Sequence, residues 1–205
     1  YKALMLCGVN QLSDGTIKLI RKFVSDGGSL VVCGSTPKGI DGDSLDDVLG
    51  IKHYGESKTD RAYLRIPDDY KDTLWAKWEY ARPYVLVFGR HPFVKPDKAV
   101  SIAPIVTLGS EYQLGTHAPA KPSEYSAIAL NTFGKGKTAF CALNLAQDYW
   151  KRANSGAKYV LGGLLNHVLP DRTVEVDSEE TLQITLAKRK KEMIVHLLSY
   201  IPERR

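Results

Sequence analysis

Apolar positions recur along the chain with two periods, and the places where the period changes mark its elements. Ile17, Ile20, Phe23 and Val24 fall on one face of a helix that runs through Ser25. Ser13 stands where an N-cap belongs, and the Gly27-Gly28 pair stops the helix. Residues 2–7 before it read as a strand. After it, Leu30, Val31, Val32 and Cys33 form a run too continuous for a half-exposed strand, so 29–33 reads as a buried parallel one. Together these segments predict a β-α-β unit with a right-handed crossover. LDDVLGI predicts a short helix that turns Leu45, Val48 and Leu49 inward and ends in a left-handed cap at Gly50. Val160, Leu161, Leu164, Leu165 and Val168 predict a further strong helix, closed by Pro170.

Residues 52–115 are sequence of another kind. RAYLRIP, PYVLVFG, AVSIAPIVTLG and EYQLG are short runs punctuated by Pro, Gly and Asp, which predicts a β-rich insertion, with one short helix in DDYKDTLWAKW. YSAIALN and TAFCAL, residues 125–131 and 138–143, predict two buried strands joined by the turn at 134–137. From Thr173 onward the period is two. Leu182, Ile184 and Leu186 alternate with Thr181, Gln183 and Thr185, and Ile194, His196 and Leu198 with Val195 and Leu197. That alternation predicts an antiparallel hairpin, too small to close a core alone. The expected fold class is therefore α/β: a mainly parallel sheet flanked by helices, with the β-rich insertion and a C-terminal β hairpin. Two domains are expected, 1–170 and 171–205.

Composition narrows the partners. With 43% hydrophobic and 25% charged residues, the chain has the make-up of a soluble globular protein. No apolar run has the length of a membrane span and no signal-peptide pattern opens the chain, so no membrane partner is expected. The net charge is +5, but the one dense basic cluster, Lys188-Arg189-Lys190-Lys191, lies between two alternating segments and reads as a solvated turn. Without a basic stripe interleaved with aromatic platforms, no nucleic-acid partner is expected. Cys7, Cys33 and Cys141 each sit in or beside an apolar run, which predicts reduced, buried thiols and a reducing compartment, the bacterial cytoplasm. The first residue is Tyr1, directly at a strand, and this suggests a piece of a longer polypeptide.

Three constellations invite a chemical reading. GKGKT at 134–138 lacks the first glycine of a phosphate loop, with Asn131 in its place, and a strand follows where a helix is needed, so no nucleotide cofactor is expected. Asp41, Asp43, Asp46 and Asp47 cluster without the glycine and terminal glutamate of a calcium loop, and no Cys-x-x-Cys spacing exists, so no metal is expected. Cys33 is the candidate nucleophile, because open α/β sheets place reactive groups beyond the carboxyl ends of their strands. A nucleophile elbow needs small flanking residues and a base, yet Val31 and Ser35 flank Cys33. None of His53, His91, His117, His167 and His196 has a carboxylate two residues on. Packing is the expected role of Cys33, with a spatially assembled partner left open.

In order, the first strand, LSDGTIKLIRKFVSDGGSLVV, DSLDDVLGI, SAIALNTFGKGKTAFCALNLAQDYW, the long helix and VHLLSYIPERR resemble the β-galactosidase trimerisation domain of bacterial glycoside hydrolases. That domain is a variant of the class I glutamine amidotransferase-like, flavodoxin-like fold. The resemblance covers 1–170, and 171–205 resembles the start of the small β domain that follows. It implies a non-catalytic module of a glycoside hydrolase in carbohydrate metabolism, assembled as a homo-oligomer such as a trimer, beside a catalytic (β/α) barrel of the same parent chain. In the amidotransferases the pattern is G-x-C-x-G with a distant H-x-E. Cys33 falls near the cysteine, but Val31 and Ser35 replace both glycines and no H-x-E exists. The alternatives are a Cys33-dependent amidotransferase-like hydrolase and a sugar-binding accessory domain. The expected interface lies in the insertion, where Tyr63, Trp75, Trp78, Tyr80, Tyr84 and Phe93 exceed what short strands need for their own packing.

Overall fold

The computed structural model describes residues 1–74, 83–108, 119–171, 174–176 and 182–199. Strand β1 (Ala3–Cys7), helix α1 (Asp14–Ser25) and strand β2 (Ser29–Cys33) form a parallel β-α-β unit. Ser13 Oγ accepts the Thr16 amide at 3.2 Å and so caps α1, whose Ile17, Ile20 and Val24 are buried. Helix α2 (Asp46–Leu49) follows, and Gly50 ends it with φ 67°. The Gly50 carbonyl then accepts the amides of Asp97, Lys98 and Ala99, which fixes this turn against the start of a later strand.

Strands β3 (Ile51–Glu56) and β4 (Arg61–Arg65), a 3-10 turn at 68–70 and helix α3 (Lys71–Leu74) come next. They are followed by β5 (Tyr84–Phe88), β6 (Pro92–Pro96), β7 (Val100–Leu108), β8 (Pro119–Phe133) and β9 (Gly136–Cys141). Helices α4 (Leu145–Arg152) and α5 (Ser155–Val168) complete this part. Seven strands join in the order β1-β2-β9-β8-β7-β4-β5, while β3 and β6 make a separate antiparallel ladder.

The fold is α/β, but the sheet is mixed and not mainly parallel. Among the described residues, only β1–β2 and β2–β9 run parallel, and β9–β8, β8–β7, β7–β4 and β4–β5 are antiparallel. The reason is connectivity. A parallel neighbour needs a crossover of a dozen or more residues. The turn at 134–135, held by the Lys135 amide on the Ser25 carbonyl, leaves β9 only the reverse direction beside β8. Nor does the insertion stand apart, since β4, β5 and β7 extend the main sheet.

The core lies where β2 meets its neighbours. Leu30, Val31, Val32 and Cys33 are buried on both faces, together with Phe140, Ile128, Leu64 and Ile105 of other strands and Val160 and Leu164 of α5. Each such side chain contributes about 1.5–3 kcal/mol by leaving water. The cross-strand neighbours Asn131 and Thr138 both reach the Val48 carbonyl, at 2.9 and 3.4 Å, and so tie the end of α2 to the sheet.

The chain divides into two compact units, Tyr1–Pro170 and Asp171–Arg205. In the second, β10 (Leu182–Arg189) and β11 (Glu192–Ser199) form an antiparallel hairpin with Ile184 opposite Leu197. Val195, Leu197 and Leu198 are more than half exposed, at 51, 64 and 58%.

Candidate functional site

The parallel strands β1, β2 and β9 end together, and their carboxyl ends define the crevice in which an α/β sheet holds its chemistry. Cys7, Cys33 and Cys141 stand in one row there, because Cys7 is in register with Cys33 and Cys33 with Cys141. The ladder continues past them through the Gly8 amide on the Cys33 carbonyl (2.9 Å) and the Gly34 amide on the Cys141 carbonyl (2.8 Å). The space beside the two glycines belongs to Asn144. Its side-chain atoms lie 3.1 Å from where a Cβ would sit on Gly8 and 3.3 Å from that point on Gly34. Its Oδ1 also accepts the Gln147 amide at 3.2 Å and caps α4. The Asn144 side chain thus packs against the two glycines that follow Cys7 and Cys33.

Cys33 has no solvent exposure. Its thiol hydrogen bond to Cys7, followed by burial, pushes its pKa well up. Burial pushes Cys141 to about 12, and the hydrogen bond from Cys33 lowers Cys7. The thiolate is the attacking form of cysteine, and near neutral pH the buried Cys33 is held as the thiol, which argues against a role as a ready nucleophile.

A hydroxyl, an imidazole and a carboxylate do meet near the crevice. Thr36, three residues beyond β2, lies 3.0 Å from His53 Nε2, and Asp46 Oδ1 lies 3.2 Å from the same nitrogen. In a nucleophile–histidine–acid relay the hydroxyl and the carboxylate use opposite ring nitrogens. Here both address Nε2, so they compete for one proton, and no proton passes through the ring from hydroxyl to carboxylate.

The aspartate cluster is organised around a cation of the chain itself. Arg21 on α1 forks to Asp43 at 3.0 Å and Asp47 at 3.1 Å and also donates to the Ser44 carbonyl at 2.8 Å. Its guanidinium holds the Asp43 carboxyl below the usual carboxylate range. Arg21, Asp43, Asp46, Asp47, His53 and Tyr54 help to line an open groove of about 760 Å³. Lys52 and Asp97 in the same groove pair with each other. Among the described residues, no group of three or more His, Cys, Asp or Glu is arranged to hold a metal ion.

The candidate interface aromatics fall into separate groups. Tyr63 on β4 and Tyr84 on β5 meet edge to face at 6.1 Å near one margin of the main sheet, with the Arg65 guanidinium 5.9 Å from the Tyr84 ring. Phe93, on β6, stacks on Tyr125 of β8 at 4.5 Å. Trp75, Trp78 and Tyr80 lie outside the described residues. Around Phe93 the structure adds side chains that sequence spacing does not single out. Tyr54 stands 6.3 Å from Tyr125, and Lys95 lies 5.0 Å above the Tyr54 ring while bonding Glu124 at 2.6 Å. His91 packs edge-on to Phe93 at 5.7 Å. These residues come from β3, β6, β8 and the residue before β6, so they meet only in the folded chain.

No family model matches this sequence. No curated protein matches it either. Solved structures do share its fold. α-L-Fucosidase isoenzyme 2 from Paenibacillus thiaminolyticus superimposes with a TM-score of 0.78 at 17% identity, over 100% of this chain and 31% of that one. β-Galactosidase from Bacillus circulans sp. alkalophilus gives 0.64 at 14% identity, over 97% and 27%. A cytoplasmic protein from Salmonella typhimurium gives 0.57 at 11% identity, over 82% and 72%. The chain therefore spans less than a third of the two hydrolases it resembles. At these identities the likeness is one of fold.

Proposed function

We propose that this chain is a non-catalytic, oligomerising module of a larger glycoside hydrolase, β-galactosidase-like and active in carbohydrate metabolism. In that reading it sits beside a catalytic (β/α) barrel of the same parent polypeptide. The observation that carries the reading is the match of 100% of this chain to only 31% of a fucosidase chain. The crevice agrees with it: Cys33 is buried, and Arg21 pairs with two of the aspartates. A glycosidase works with two carboxylates placed across one bond, about 5–9.5 Å apart. The groove residues Asp43 and Asp47 are instead bound to one guanidinium.

Residues 1–170 are assigned as a glutamine amidotransferase-like, trimerisation-type domain, a flavodoxin-like variant that keeps its parallel half in β1, β2 and β9. Residues 171–205 are assigned as the opening of a small C-terminal β domain, which agrees with the exposed apolar rows of the hairpin. Assembly, as a trimer, uses the insertion aromatics Tyr63, Trp75, Trp78, Tyr80, Tyr84 and Phe93. The bacterial cytoplasm is the proposed compartment, supported by the free thiols of Cys7, Cys33 and Cys141 and by the fold shared with a cytoplasmic protein.

Two measurements test this reading. The chain alone is expected to turn over neither glutamine nor a nitrophenyl glycoside, and turnover abolished by changing one groove aspartate would overturn the non-catalytic assignment. In the full-length protein, replacing Trp75 and Trp78 by polar residues is expected to lower the mass seen by light scattering. An unchanged mass with an intact circular dichroism spectrum removes the insertion from the assembly surface.

A further inference from the structure

We infer that Cys7 and Cys33 form a redox-active thiol pair, which a small external disulfide oxidises to an intramolecular Cys7–Cys33 bridge. The pairing follows from register. Residues directly opposite on neighbouring strands project from the same face, and the strands lie about 4.8 Å apart. That separation falls within the roughly 4.4–6.8 Å between Cα atoms that a disulfide spans. Cys7 is opposite Cys33, and both are the last residues of their strands, so a bridge joins the two strand ends where the regular ladder gives way to loops.

Cys141 stands opposite Cys33 on the other side, so register alone allows two bridges. Access decides between them. Cys33 and Cys141 have no solvent exposure, whereas Cys7 is partly exposed. Exchange begins with attack by a thiolate on an external disulfide, and among these three only Cys7 meets one. The neighbouring Cys33 thiol also lowers the pKa of Cys7 and so favours its thiolate.

The steps balance as follows. The Cys7 thiolate attacks one sulfur of the disulfide RSSR, forming Cys7–S–S–R and releasing RS⁻, which takes a proton from water. The Cys33 sulfur then attacks Cys7 Sγ, the bond to R breaks, and the leaving sulfur takes the Cys33 proton and departs as a second RSH. The two cysteines lose two electrons, and RSSR gains them to become two RSH. Both steps run through a thiolate, so the bridge forms faster as the pH rises.

The test is oxidation of the folded full chain with glutathione disulfide at pH 7 and pH 8, followed by unfolding, alkylation and peptide mapping. The expected result is a peptide linking Cys7 to Cys33, formed faster at pH 8, with Cys141 still open to alkylation. Cys33→Ala is expected to stop at a glutathione adduct on Cys7, and Cys7→Ser to lose the reaction. A Cys33–Cys141 link, a Cys7 adduct that persists in the native sequence with Cys33 free, or no reaction at all overturns the inference. Mapping of the native sequence decides the matter even where a variant fails to fold. The result is also independent of any role in assembly.

Discussion

His91 is a buried imidazole whose Nδ1 has no hydrogen-bond partner among the described residues. Burial lowers its pKa from 6.5, with a bond to the Gly89 backbone opposing the shift. The folded state therefore prefers the neutral ring. Below about pH 6.5 the unfolded chain takes up a proton that the folded ring resists, so stability present above that pH is lost as the pH falls. His167 carries the same sign, from burial and then from Lys137, so part of the slope survives without His91. His91→Phe is expected to flatten the fall of Tm between pH 7 and pH 5, and parallel curves for the two proteins would exclude a role for this ring. Sequence shows little of this. The burial of Cys33 is legible in the run Leu30-Val31-Val32, but the bonds of His53 to Asp46 and Thr36 span 7 and 17 positions without a motif. The packing of Asn144 against Gly8 and Gly34 is a contact between distant loops, and no local pattern encodes it.

Elements with a strong period of their own were legible: α1 with its Ser13 cap, the buried β2, α2 with its glycine stop, β8 and β9 around their turn, α5 and the terminal hairpin. Helix α4 was not, since LAQDYWKR is short and mostly polar and is capped by Asn144. Strand β8 begins at Pro119, earlier than its apolar run, because bulged pairing with β7 near Pro104 and Pro122 extends it through positions of poor strand propensity. The glycine stop of α2 supplies a test. A side chain in the left-handed region costs about 1–2 kcal/mol, and this is the expected cost of Gly42→Ala, where φ is 88° and nothing lies within 4 Å. At Gly50 a Cβ would also come within 2.7 Å of the Ala99 amide nitrogen, in backbone that cannot swing aside. Gly50→Ala is therefore expected to cost more than Gly42→Ala in urea unfolding. Equal costs would mean that the turn joining α2 to β7 yields freely.

For the whole molecule, the α/β class and the parallel β-α-β start were readable, whereas the antiparallel majority of the main sheet was not. Periodicity reports whether a strand is buried, and buried strands of either direction look alike in sequence. Direction is set by which connections are short, and β7, β8 and β9 are consecutive in the chain while β2 finds β9 only across the entire insertion. That arrangement gives the sheet a history as well as a shape. The meander β7-β8-β9 can form from near neighbours, but β2 can join only after the chain between them has been drawn together, at an entropic cost that long-range contacts must first meet. Refolding is therefore expected to proceed from the antiparallel side toward β1. In pulsed hydrogen exchange, amides of β8 and β9 should gain protection before those of β1 and β2, and simultaneous protection of all four would show that the sheet closes in a single step.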